Sequence, residues 1–169
     1  MYLHLCFFVM IVMIFPITGY ASDITEEYVV VCFDDGSYIT EKIIENHTRS
    51  SGTQSGSKEK TYYGNDGVVE WVLVVSGTFT YSSSGASCTK AGSSVTIYDS
   101  KWYTISKSAA KSGNTATAYA TMGEKLLGVK VDEVSTSVSL KCDANGNLSR
   151  INGKNPGCFR IRGCMRSID

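Results

Sequence analysis

"VVEWVLVVSGTFTY", Val68 to Tyr81, decides the fold. Its apolar and polar residues alternate with period two. Trp71, Leu73, Val75, Phe79 and Tyr81 share one face; Glu70, Val72, Val74, Ser76, Thr78 and Thr80 share the other. Successive side chains of a strand point to opposite sides, so this is a long strand with one buried and one wet, Thr-rich face. Gly77 inside it predicts a bulge or a bend.

The same reading extends outward from that strand. Tyr28 to Ile44 predicts a β-hairpin, with "YVVVCF" and "SYITEKII" flanking the turn "DDG". Beyond Tyr81, "SCTKAGSSVTIY" and "SKWYTISKSA" read as strands, and "KSGN" as a turn. "TATAYATM" sets Ala116, Ala118, Ala120 and Met122 against Thr115, Thr117, Tyr119 and Thr121. "EVSTSVSLKC" sets Val134, Thr136, Val138, Leu140 and Cys142 against Ser135, Ser137, Ser139 and Lys141. Short strands at regular spacing, with almost no helical periodicity, predict an all-β antiparallel sandwich of about seven strands.

Upstream, Leu3 to Ile17 is almost unbroken apolar sequence followed by Gly19-Tyr20-Ala21, the pattern of a secretory signal too short to span a bilayer comfortably. The predicted organisation is a signal peptide (1–21), a hairpin segment (22–45), a flexible polar linker (46–60), the β-sandwich (61–149) and a basic, Cys-containing tail (150–169). The linker assignment rests on "NHTRSSGTQSGSKEK", which contains no apolar residue to offset the entropy of ordering. The expected location is secreted or cell-surface associated, with no stable membrane insertion once the signal is cleaved.

Net charge is zero but unevenly spread: Asp23 to Glu70 holds ten acids and four bases, and Trp71 to Asp169 six acids and twelve bases. A neutral whole argues against a dedicated nucleic-acid binder. Past the signal the chain keeps Cys32, Cys88, Cys142, Cys158 and Cys164, an odd set. The order Cys88, Trp102, Cys142 echoes the immunoglobulin sandwich, where a disulfide between sheets packs on a tryptophan. A Cys88–Cys142 bridge is therefore expected, with Cys158–Cys164 as a local second pair and Cys32 left over.

Chemistry-bearing motifs are sparse. "TYYGNDGVVEW", Thr61 to Trp71, looks like the YGNGV box of small pore-forming bacteriocins, but Asp66 separates Asn65 from Gly67, no cysteine follows before Cys88, and the surroundings are acidic. Asn65-Asp66-Gly67 reads instead as a turn tolerant of positive φ. His47 is the one histidine past the signal and completes no Ser/His/Asp or Cys/His set. "DANGNLS", Asp143 to Ser149, begins like a calcium loop but lacks its Gly and Glu positions, so it reads as a turn. No metal, cofactor or catalytic residue is predicted.

Two surfaces remain as binding candidates. One is the hydroxyl faces: Thr78 and Thr80, then Thr115, Thr117, Tyr119 and Thr121, then Ser135, Ser137 and Ser139. The other is an aromatic platform of Trp102, Tyr103, Tyr98 and Tyr119; Trp102 and Tyr103 are consecutive, so one must face out. From Val69 to Ser149, the run "VEWVLVVSGTFTY…C…W…KSGNTATAYAT…GV…VSLKCDANGNLS" resembles a group of small secreted proteins of Gram-positive, mostly gut, bacteria. That resemblance implies export and a β-sandwich and carries over no catalytic residue. The functional expectation is a non-enzymatic secreted or cell-surface module that binds a glycan, a cell-wall polymer or an extracellular protein. The alternative is a secreted, bacteriocin-like antagonist.

Overall fold

The structure, a computed structural model, describes residues 23–24, 27–50 and 52–149. The signal segment and the tail with Cys158 and Cys164 lie outside the described residues, as do the side chains of 45–50. Ten strands are described and no helix: β1 (Asp23–Ile24), β2 (Tyr28–Cys32), β3 (Tyr38–Ser50), β4 (Thr53–Tyr63), β5 (Val69–Ser82), β6 (Gly85–Ile97), β7 (Trp102–Ser112), β8 (Thr115–Leu126), β9 (Val129–Cys142) and β10 (Leu148–Ser149).

They form two antiparallel sheets. The larger runs β1-β3-β4-β5-β6, with β2 on the same edge of β3 as β1; the smaller runs β10-β9-β8-β7. Apart from β1 and β3, each ladder joins strands that follow one another in the chain, and the segment Tyr98–Lys101 carries the chain from one sheet to the other.

The core lies where the two sheets overlap. Trp71, Leu73, Val75 and Phe79 of β5 are fully buried against Ala116, Ala118 and Met122 of β8 and Leu140 and Cys142 of β9. The face alternation read from these three strands is thus the one the fold uses, except at Glu70. Large side chains on β5 meet a row of alanines on β8, so bulk and space interlock across the layers. Gly77 belongs to this fit. A Cβ there would lie 2.6 Å from the Phe79 ring and 3.2 Å from the Ala116 Cβ. The ring fills the space that a side chain at Gly77 would need.

Three hairpin turns share one geometry. In Phe33–Ser37, Gly64–Val68 and Asp143–Asn147, the first residue bonds the fifth, and the fourth, a glycine, donates its N–H back to the first. Those glycines have φ of 90°, 76° and 83°, which favours glycine over any residue with a Cβ. In each, an aspartate caps the loop. Asp35 Oδ1 accepts from Ser37 N, Asp66 Oδ1 from Val68 N, and Asp143 Oδ1 from Asn145 N and Asn147 N. "GNDGV" is therefore a turn entering β5, and the carboxylate of "DANGN" is engaged by its own loop.

The flexible linker is a correction. Residues 46–60 lie in β3 and β4, and β4 is a central strand bonded on both sides. Ladders on both of its sides order it, and opposite charges across the β3 ladder support the register. Glu41 stands opposite Lys60, and Lys42 opposite Glu59, with Lys42 Nζ 2.8 Å from Glu59 Oε2. Opposite charges directly across a ladder favour the pairing and fix its register. The hairpin segment 22–45 is likewise continuous with this sheet, not separate from it.

The Cys88–Cys142 bridge is a second correction. Cys88 and Cys142 are free thiols, both buried. Each buried thiol turns to a backbone carbonyl on its own stretch of chain: Cys88 Sγ to Lys90 O at 3.3 Å, and Cys142 Sγ to Asp143 O at 3.5 Å. Nor does Trp102 stand beside them. Cys88 N bonds Gly113 O past the far end of β7, whereas Trp102 begins that strand.

Candidate functional site

The outer face of the smaller sheet is the most regular exposed surface among the described residues. Ladder register places its side chains in cross-strand rows, because opposite residues share a face. In order along β8 these are Tyr103–Gly123–Glu133, Ser106–Thr121–Ser135, Ser108–Tyr119–Ser137, Ala110–Thr117–Ser139 and Ser112–Thr115–Lys141. The hydroxyls bond one another across the β8–β9 ladder, Thr117 with Ser139 at 2.9 Å and Thr121 with Ser135 at 3.1 Å. A hydroxyl carries one donor and two acceptor sites, so such a pair is held in place yet keeps capacity for a ligand.

Two tyrosines punctuate that face. Tyr119 sits mid-sheet and is 48% exposed. Tyr103 lies across Gly123, where an added Cβ would come within 2.5 Å of its ring; the glycine lets the ring settle on the strand. Gly123 and Tyr119 are four residues apart on β8, roughly 13 Å at strand rise. The face therefore offers two aromatic surfaces separated by a hydroxyl row, on a rigid sheet.

The four-residue platform does not assemble. Trp102 faces inward and is buried; Tyr103 faces outward, and Tyr119 joins it on that face. Tyr98 is exposed in the connection after β6, on the other sheet's side. Trp102 belongs to an internal aromatic group, with ring centroids 5.7 Å from Tyr62 and 6.4 Å from Trp71.

Glu70 is held in the interior by that group. Period-two reading placed it on the wet face of β5, but the β4–β5 register shifts where Tyr62 and Tyr63 meet Trp71 and Val69, and Glu70 is the extra residue. The bulge turns its carboxylate inward. It accepts from Trp102 Nε1 at 2.6 Å and from Lys101 Nζ at 2.6 Å, over Gly64, which leaves it room. Donating this hydrogen bond to Glu70 raises the Lys101 ammonium above its ordinary range, against a smaller opposing effect of burial.

A second charged group lies under the broad sheet. Lys58 is nearly buried, and its Nζ is 2.6 Å from Glu41 Oε2; Lys60 Nζ is 3.4 Å from Glu41 Oε1, and the Tyr28 hydroxyl donates to Glu41 at 3.0 Å. Lys60 also reaches the Thr136 hydroxyl and the Ser137 carbonyl on β9. Burial pushes the Glu41 carboxyl up, but the Lys58 hydrogen bond, both lysine charges and Tyr28 together bring it below the ordinary glutamate range. Sequence reading missed both groups. The signals available were the opposed charges of β3 and β4, and an acid placed beside a turn that forces a bulge.

Burial raises both core thiols, and Cys142 is pushed up to about 11, with Asp143 and Cys88 adding smaller contributions. Among the described residues no three His, Cys, Asp or Glu side chains gather as a metal site. Each charged group found inside is saturated by its own partners, which is the pattern of structural ion pairs. No family model, curated protein or solved structure matches the chain.

Proposed function

We propose that this chain is a secreted or cell-surface, non-enzymatic binding module whose ligand is a polysaccharide such as a cell-wall glycan. The observation that carries this reading is the outer face of the smaller sheet, with one hydroxyl row between Tyr103 and Tyr119 and more beyond Tyr119. Sugar rings present apolar faces that stack on aromatic rings and hydroxyl rims that exchange hydrogen bonds with Ser and Thr. A flat sheet face loses little freedom when an extended chain lies along it, which favours affinity. The immunoglobulin-like element of the reading is the layering alone: two antiparallel sheets presenting side chains from a stiff scaffold.

The test is co-sedimentation of the full chain with isolated cell walls and insoluble polysaccharides across a salt series. Saturable binding that survives high salt and weakens about tenfold in Tyr119→Ala supports the reading, since one lost aromatic contact is worth about 1 kcal/mol or slightly more. Absence of binding, loss at modest salt, or indifference to Tyr119→Ala overturns it.

A further inference from the structure

The β8–β9 hairpin runs past the rest of its sheet. The last β7 partner of β8 is Trp102, opposite Glu124, and Lys125 N makes one more bond to Lys101 O. β10 pairs with β9 only at Lys141 and Cys142. From Leu126 to Asp132 the ribbon has ladder partners only within itself. Its tip is apolar: Leu126 is 65%, Leu127 97%, Val129 67% and Val131 55% exposed. Large apolar side chains grouped at one protruding point mark an interaction site more often than chance scatter does.

The turn itself adds an independent observation. Two-residue hairpin turns needing positive φ are ordinarily Asn-Gly or Asp-Gly. Here they are Leu127, at φ 51°, and Gly128, at φ 84°; Leu127 is the one non-glycine residue with positive φ among the described residues. A leucine in that conformation costs on the order of 1–2 kcal/mol, and in the free chain its side chain recovers nothing by burial.

We propose that this tip docks on the surface of an anionic lipid bilayer, as a peripheral anchor. Charge and spacing both fit that occupant. Lys125 and Lys130 face each other across the ladder, directly behind the Leu126–Val129 pair and the turn. From turn to lysine pair is about two residues, roughly 7 Å at strand rise. Interfacial apolar groups enter about 5–10 Å, to the boundary of headgroups and acyl chains. Leu126, Leu127 and Val129 thus reach the acyl boundary when the Lys125 ammonium stands level with lipid phosphates and Lys130 exchanges its Glu133 partner for one. Glu124 and Asp132, opposite one another, and Glu133, which pairs with Lys130, stay further out on the solvent side, Glu124 within reach of Lys101. The tip is convex and narrow, a shape suited to penetrating a soft interface.

The test uses the full chain carrying Leu127→Trp, mixed with vesicles of phosphatidylcholine alone or with one quarter phosphatidylglycerol, each with brominated acyl chains. Trp71 and Trp102 are 0% and 5% exposed, so the indole at position 127 supplies the responsive signal. The expected result is a blue shift and bromine quenching on the anionic vesicles, weakened roughly fivefold by each of Lys125→Gln and Lys130→Gln. If the protein pellets with vesicles but the indole at position 127 is not quenched, contact is made elsewhere and the proposal fails. It fails equally if the blue shift appears without lipid and tracks protein concentration alongside a dimer in sedimentation equilibrium, because a second copy then covers the tip.

Discussion

The two halves of the broad sheet are built on opposite principles. Under β5 and β6 the inner face is mainly apolar, with Trp71, Leu73, Val75 and Phe79 against the alanine row of β8, and Glu70 at the β5 bulge is its charged exception. Under β3 and β4, the inward positions of the same sheet include Glu41, Lys58 and Lys60, closed by ion pairs and by hydrogen bonds to β9. The difference follows the overlap of the layers. Where the smaller sheet covers the larger, burying apolar surface stabilises most. Where the larger sheet overhangs, long charged side chains reach across with their stems packed and their heads paired. A sheet need not be amphipathic along its whole width to be one cooperative unit.

The sharpest way to break this contrast is in the apolar half. Trp71→Ala removes the largest fully buried side chain, and the alanines opposite cannot grow to refill the space. A loss of about 3–5 kcal/mol in unfolding free energy is expected, read as a drop in urea midpoint at unchanged slope. A loss below about 1 kcal/mol would mean that the packing between the layers is looser than the burial implies.

In the charged half the expected effect is smaller. Lys58→Ala leaves Glu41 with Lys60 and Tyr28, so the carboxylate is weakened in its support but not orphaned, and about 1–3 kcal/mol should be lost. The double variant Lys58→Met, Glu41→Leu should recover part of that loss, because the apolar pair needs no desolvation and Lys60, although it loses Glu41, keeps Thr136 and Ser137. If the double variant is as unstable as the single, the ion pair specifies the β3–β4 register rather than merely filling space.

These halves also explain what could be read in advance. The apolar half was legible because β5, β8 and β9 alternate over most of their length, the bulge at Glu70 apart, and a period-two pattern needs only one buried face to declare itself. β4 was illegible for the same reason. "TQSGSKEKTYY" buries Gln54, Gly56 and Lys58, residues that hydropathy assigns to solvent. Its register is supported by Glu41 and Lys42, which lie more than a turn away in the chain and become neighbours only after pairing. Tyr119 is an exposed ring, whereas Trp102 is buried. The alternation of Trp102 and Tyr103 left open which of them faces inward, and the buried carboxylate of Glu70 holds the indole in the core.

Acid should separate the halves. The Glu41 carboxyl lies below its ordinary value of 4.5 in the folded chain, so its contribution is fully present above about pH 4.5 and is lost as pH falls toward the folded value. Asp35 and Asp143, lowered mainly by hydrogen bonds from Ser37 and Asn147, act with the same sign. Urea unfolding between pH 7 and pH 3 should therefore show stability falling below pH 4.5, and Glu41→Gln should shallow the fall without abolishing it. At the other extreme, Cys142 is raised from 9.0 to about 11, so stability should fall as pH rises from 9 toward 11. A fall that Glu41→Gln leaves unchanged would assign the acid response to the turn carboxylates.

The smallest stability effect belongs to the outer face of the smaller sheet, and there smallness is the informative outcome. Tyr119→Ser removes an exposed ring and leaves a hydroxyl compatible with Ser108 and Ser137 on either side. Unfolding free energy should change by no more than about 0.5 kcal/mol, as for surface substitutions away from special features. A ring that holds the fold together through cross-strand contacts would cost more than that. If stability is unchanged while polysaccharide binding weakens, the ring serves a ligand. If stability falls by 1 kcal/mol or more, Tyr119 is a cross-strand packing residue and the hydroxyl rows must be judged without it.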